Sequence, residues 1–126
     1  MREQFSKQRV APDRDSDEFP VLNRELPFGI SRDGPAPSML DFRGHRGNSF
    51  ALPYRDLLSI AHYPTTNITI EFQRHVVVVR GRNLHPVYEA LMRHDVLFIQ
   101  EDTFDHAREN ETFVDSITVK RKDEFG

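Results

Sequence analysis

The chain has 126 residues, 37% of them apolar, with ten Phe, no Cys, no Trp and a formal net charge of -3. That is the length of one ordinary domain with too few apolar groups to be packed from end to end, so part of it is expected to lie outside the core. The composition excludes disulfide staples, thiolate metal sites and cysteine nucleophiles, and no apolar run approaches the ~20 residues of a membrane span.

Charge is spread unevenly. Residues 1–34 carry 6 basic and 7 acidic groups, residues 35–100 carry 7 and 5, and residues 101–126 carry 4 and 8. A mildly basic middle thus precedes an acidic end, an asymmetry too weak for long-range attraction of a polyanion at physiological salt. Met1 to Pro12 lacks the hydrophobic stretch of a secretory signal, so the expected location is cytoplasmic and the sequons at Asn67 and Asn110 carry no consequence.

Residues 1–37 are dominated by Arg, Asp, Ser, Pro and Gly, including the run Asp13-Arg14-Asp15-Ser16-Asp17-Glu18. Such a composition buries too little apolar surface to offset chain entropy and reads as an extended or disordered polar arm. Within it Phe19, Val21, Leu22, Leu26, Phe28 and Ile30 form a sparse apolar series, the pattern of a segment that docks onto a sheet edge or a partner.

A core domain is expected over residues 38–100. Met39, Leu40 and Phe42, a turn from Arg43 to Asn48, and Ser49 to Tyr54 read as a hairpin, with Pro53 placing the second strand at an edge. Leu57 to Tyr63 and Ile68 to Phe72 follow as strands around Pro64-Thr65-Thr66-Asn67. Ile68, Ile70 and Phe72 alternate with Thr69 and Glu71, the signature of a half-solvated antiparallel strand.

Val76 to Val79 present β-branched groups to both faces, so this strand is expected to be central and covered on both sides. The expected cover is a helix over residues 83–94, with Asn83 as N-cap, Pro86 in the first turn and Leu84, Val87, Tyr88 and Leu91 as its apolar stripe. Val96 to Ile99 would be a further short strand. Residues 101–126 form an acidic segment in which Phe113, Ile117 and Val119 mark an edge strand at 112–119. The expected fold is therefore α+β, an antiparallel β-meander of about five to seven strands covered by one C-terminal amphipathic helix, with polar arms at both ends.

No catalytic constellation is visible. No Ser sits in a Gly-x-Ser-x-Gly elbow, and Asp41, Asp56, Glu71, Glu89 and Asp95 have no spacing that pairs two carboxylates. Asp102, Asp105 and His106, or His85 and Glu89, would share a helical face, but neither set reproduces His-Glu-x-x-His, so surface ion pairs are expected and no metal or cofactor. Gly81 between Arg80 and Arg82 suggests a strand-to-helix turn, with the helix start as a weak anion site.

Arg74, Arg80, Arg82 and Arg93 are the candidate anion or nucleic-acid contacts, with Tyr54 and Tyr63 available for stacking. The stretch Leu52-Pro53-Tyr54-Arg55-Asp56-Leu57-Leu58-Ser59-Ile60, the hairpin, and the Leu84 to Leu91 helix before Val96-Leu97-Phe98-Ile99 are similar in rhythm to the LytTR-type DNA-binding domain, over roughly half the chain. That likeness implies a DNA-binding function, but Gln100-Glu101-Asp102 stands where the family has a His-Arg-Ser segment, acidic where a phosphate contact is wanted. The expected function is accordingly a small non-catalytic interaction or assembly domain, self-associating or bound to another protein. A nucleic-acid-binding module is the alternative.

Overall fold

The computed structural model describes residues 26–102 and 110–122. The elements in chain order are β1 (Phe28–Ile30), β2 (Met39–Arg43), β3 (Ser49–Pro53), a 3-10 turn (Tyr54–Asp56), β4 (Leu57–Tyr63), β5 (Asn67–Phe72), β6 (His75–Arg82), α1 (His85–Met92), β7 (Val96–Gln100) and β8 (Phe113–Arg121). The fold is α+β and mostly sheet, with eight strands in two four-stranded sheets ordered β1-β7-β2-β3 and β4-β5-β6-β8.

This corrects the expectation of one meander with a C-terminal helix. β2 and β3 form the hairpin, pairing Leu40 with Leu52 and Phe42 with Phe50. Pro53 ends β3 at the sheet edge, and the 3-10 turn, anchored where Tyr54 N donates to Ser38 O at 2.9 Å, redirects the chain into the second sheet. There β4, β5 and β6 do run as a meander, and β8 adds antiparallel to β6. The helix sits mid-chain because β7 must return to the first sheet, where it lies parallel to β2, and parallel neighbours require a crossover.

One core fills the space between the sheets. Leu40, Phe42, Leu52, Val96 and Ile99 come from the first sheet, and Ile68, Ile70, Phe72, Val77, Val79 and Val114 from the second. Phe42 meets Phe72 edge to face across the gap, with ring centroids 6.2 Å apart. The helix contributes Leu84, Val87, Ala90 and Leu91.

The valine strand differs from its expectation in one respect. β6 is central, between β5 and β8, but only Val77 and Val79 are fully buried; Val76 and Val78 are half-buried on the outer face. The helix packs against β4 and β7 and reaches the valines only through the shared core, so it does not roof the outer face. Among the described residues, cross-strand neighbours flank those two valines instead: Glu71 and Lys120 beside Val76, Thr69 and Thr118 beside Val78. Aliphatic stems and Thr methyl groups shield an apolar residue in a polar sheet face.

Asn83 does not cap the helix. Its backbone is left-handed at φ 53°, and its Nδ2 donates to Glu111 O at 2.9 Å while Thr112 Oγ1 donates to its carbonyl at 2.7 Å, tying the chain before α1 to the chain before β8. Gly81 lies inside β6 and makes no turn. β8 carries an extra residue, Asp115, opposite the step from Arg80 to Gly81, and the bulge presses its backbone inward. A Cβ at Gly81 would stand 1.9 Å from Phe113 O, so only glycine fits.

Phe28–Ile30, from the sparse apolar series, pairs antiparallel with β7, while Leu26 is exposed. Phe19, Val21 and Leu22 of that series lie outside the described residues. No helix among the described residues is long and apolar enough to cross a membrane.

Candidate functional site

Among the described residues β3 is an edge of the first sheet and β8 an edge of the second, and the two edges approach on one side of the molecule. A slot of about 730 Å³ runs there, lined by Asn48, Phe50, His75, Ile117, Val119, Lys120 and Arg121. Alternation explains its floor. Phe50 pairs with buried Phe42, so it points between the sheets, yet with no strand beyond β3 among the described residues it stays 42% exposed. Ile117 and Val119 pair with buried Val79 and Val77 and are likewise left half-buried by their edge position. His75 closes the end of the slot, its ring edge-on to Phe50 at 5.2 Å.

A second, polar cleft of about 340 Å³ adjoins the slot at Asn48 and is lined by Arg43, Gly44, His45, Gly47, Ser49, Gln100, Glu101 and Asp102. Glu101 organises it. One carboxylate oxygen accepts from His45 N at 3.1 Å and lies 2.8 Å from His45 Nδ1, and the other accepts from Ile117 N at 2.6 Å. An ionised carboxylate only accepts, so Nδ1 carries the proton of that contact. Burial alone would raise the Glu101 carboxyl, but the donors from Ile117 and His45 outweigh it and hold the group below its ordinary value. The carboxylate thereby clamps the β2–β3 turn and the end of β7 onto β8, which fixes the walls of both openings.

The four arginines proposed as contacts are placed apart. Arg74 lies in the turn before β6, and Arg80 and Arg82 fall near the other end of that strand, roughly 20 Å along at ~3.3 Å per residue. The Arg82 guanidinium sits 5.2 Å from the Phe113 ring. Arg93 follows the last helical residue and pairs with Asp95 at 3.0 Å. Of the two tyrosines considered for stacking, Tyr54 is buried and Tyr63 exposed.

Of the remaining acidic candidates, Asp41 pairs with Arg43 and Glu71 with Lys122, and the Glu89 carboxylate lies 3.2 Å from His85 Nε2. Asp105 and His106 lie outside the described residues. His62, His85 and Tyr88 form an aromatic cluster between β4 and α1, but no group of three or more metal-ligating side chains occurs among the described residues.

The slot residues and Glu101 escaped the sequence reading. Alternation of Phe113, Ile117 and Val119 marked the strand, but nothing local says that Phe50 and His75 meet it, or that Glu101 binds a turn 56 residues away. No protein-family model, curated protein or solved structure matches the chain, so the rhythm shared with the LytTR-type domain has no further support.

Proposed function

We propose that this is a non-catalytic interaction domain, cytosolic in location, that assembles with a second copy of itself through the side left open between β3 and β8. The observation that carries the reading is the slot itself. Two strands that are sheet edges among the described residues flank a floor of Phe50, Ile117 and Val119, the combination that invites a partner's apolar side chains. The nucleic-acid alternative draws less support, because Arg74, Arg80 and Arg93 are dispersed over separate ends of the fold.

Light scattering coupled to size-exclusion chromatography tests the proposal. The wild type is expected to elute as a dimer or higher assembly and Phe50→Asp as a folded monomer, since Phe50 is already part-exposed and its replacement leaves the core intact. A monomeric wild type whose elution is unchanged by Phe50→Asp would sink it.

A further inference from the structure

The sequence places glycine directly after an acidic or amide side chain once, at Asp33-Gly34. The pair lies in the connection from β1 to β2, where the chain bends at 32–34 outside any strand or helix, and both residues are exposed. Neither a hydrogen bond nor an ion pair engages the Asp33 carboxylate among the described residues, and the Gly34 N-H has no acceptor there. A Cβ at Gly34 would meet only Ser31 Oγ, at 3.9 Å, so the space around this peptide is open. A free carboxyl thus sits next to a free, unhindered amide nitrogen.

We propose that Asp33 is a modification site, at which the backbone rearranges spontaneously to an isoaspartyl linkage. Gly34 N attacks Asp33 Cγ; the N-Cγ bond forms as the carboxyl C-OH bond breaks, and the hydroxyl leaves with the amide proton as water. The product is a cyclic imide, which water opens at either carbonyl. Breaking the new N-Cγ bond restores Asp33, whereas breaking the original peptide C-N bond leaves the chain running through Cγ. No oxidant, cofactor or second protein takes part.

The attack needs rotation about the Asp33 backbone and a nitrogen that no side chain crowds, and glycine meets the second need. Asp41, Asp95 and Asp115 fail both, because Phe42, Val96 and Ser116 carry side chains and lie in strands that fix the peptide. The rearrangement inserts one methylene into the main chain between Ser31 and Pro35. It therefore disturbs the bond from Ser31 Oγ to Pro35 O, 3.3 Å long, that spans the bend, and it lengthens the tether between β1 and β2.

The experiment ages the full chain at neutral pH and physiological temperature. Isoaspartate is read as methyl transfer from labelled S-adenosylmethionine by a purified isoaspartyl O-methyltransferase. It is located with endoproteinase Asp-N, which cuts before Asp and not before isoaspartate. Wild type is expected to gain methyl acceptance and to lose cleavage at residue 33. Gly34→Ala is expected to slow the gain about tenfold, since a Cβ crowds the nitrogen and narrows the backbone. Asp33→Asn is expected to speed it through the same imide, with ammonia leaving in place of water. Because the loop needs no opening, the folded chain should age within about threefold of the rate in guanidinium chloride, and protection of about tenfold or more would overturn the proposal. So would acceptance no greater than that of Asp33→Ala, or acceptance centred on another residue. None of these readouts depends on the state of assembly.

Discussion

His94 ends the helix in a left-handed conformation, φ 58°, and its ring stacks on that of Tyr54 with centroids 4.7 Å apart and planes 18° from parallel. The backbone around it closes as a Schellman motif, His94 N donating to Leu91 O and Asp95 N to Ala90 O, both at 3.0 Å. Glycine usually holds that position, so the stack is what offsets the strain of a side chain there. His94→Gly is therefore expected to be close to neutral, relieving about 1 kcal/mol of backbone strain while losing about 1 kcal/mol of stacking. His94→Ala keeps the strain and loses the stack, and urea unfolding should show it less stable by about 1–2 kcal/mol.

Tyr54 also donates its hydroxyl to Val96 O at 2.8 Å, joining the turn after β3 to the start of β7. Burial pushes the phenol well above its ordinary value, and the negative charge of Asp95 adds to the rise. With the folded value above the unfolded one, the stability this group contributes is complete below pH 10 and falls as pH rises beyond it. Ultraviolet titration should find one of the three phenols still protonated in the folded chain under conditions that ionise it after unfolding. Tyr54→Phe should remove that lag and, by orphaning a buried carbonyl, cost about 1 kcal/mol at neutral pH.

At the acid end the informative group is Glu101. Its folded value is held below 4.5, so its contribution is complete above pH 4.5 and is lost as pH falls through the lower folded value. Glu71 shifts in the same direction, through its bond to Lys122 first and to Ser59 second, so the wild-type acid transition contains both groups. Glu101→Gln should flatten part of that pH dependence and cost about 2 kcal/mol near neutrality, because the three charge-assisted bonds from His45 N, His45 Nδ1 and Ile117 N are weakened or lost. Equal pH slopes for wild type and variant would show that the clamp adds nothing.

Gly81 gives a steric prediction. Alanine there brings Cβ against Phe113 O and Val114 Cα, backbone that cannot give way without unpairing the bulge. Gly81→Ala should cost about 2–3 kcal/mol and lower amide-exchange protection first in Phe113–Arg121.

What the sequence revealed follows the range of the interactions involved. Alternation exposed Ile68, Ile70 and Phe72 as an inward face, and helical spacing exposed Leu84, Val87 and Leu91, because each pattern is read within a few residues. Asn83 misled because Asn suits both an N-cap and a left-handed position, and only the distant Glu111 and Thr112 decide between them. Gly81 misled likewise, since its demand for glycine comes from a bulge in β8. The division into two sheets hung on the turn at Tyr54, whose anchors Ser38 and Val96 lie outside any local window. The slot was least legible, being made where the edges of separate sheets approach.

The valine run tests how a sheet strand tolerates apolar groups on a face that no described element covers. Val77 and Val79 are fully buried, whereas Val76 and Val78 rest among Glu71, Thr69, Lys120 and Thr118. Val77→Ala or Val79→Ala removes two methyl groups from a packed core and should cost about 2–3 kcal/mol by urea unfolding. Val76→Thr or Val78→Thr retains branching and places a hydroxyl where water reaches it, so each should change stability by less than about 1 kcal/mol. Were the outer pair as costly as the inner one, some other part of the molecule or a partner would have to lie over that face, and the side between β3 and β8 would lose its standing as the surface left open.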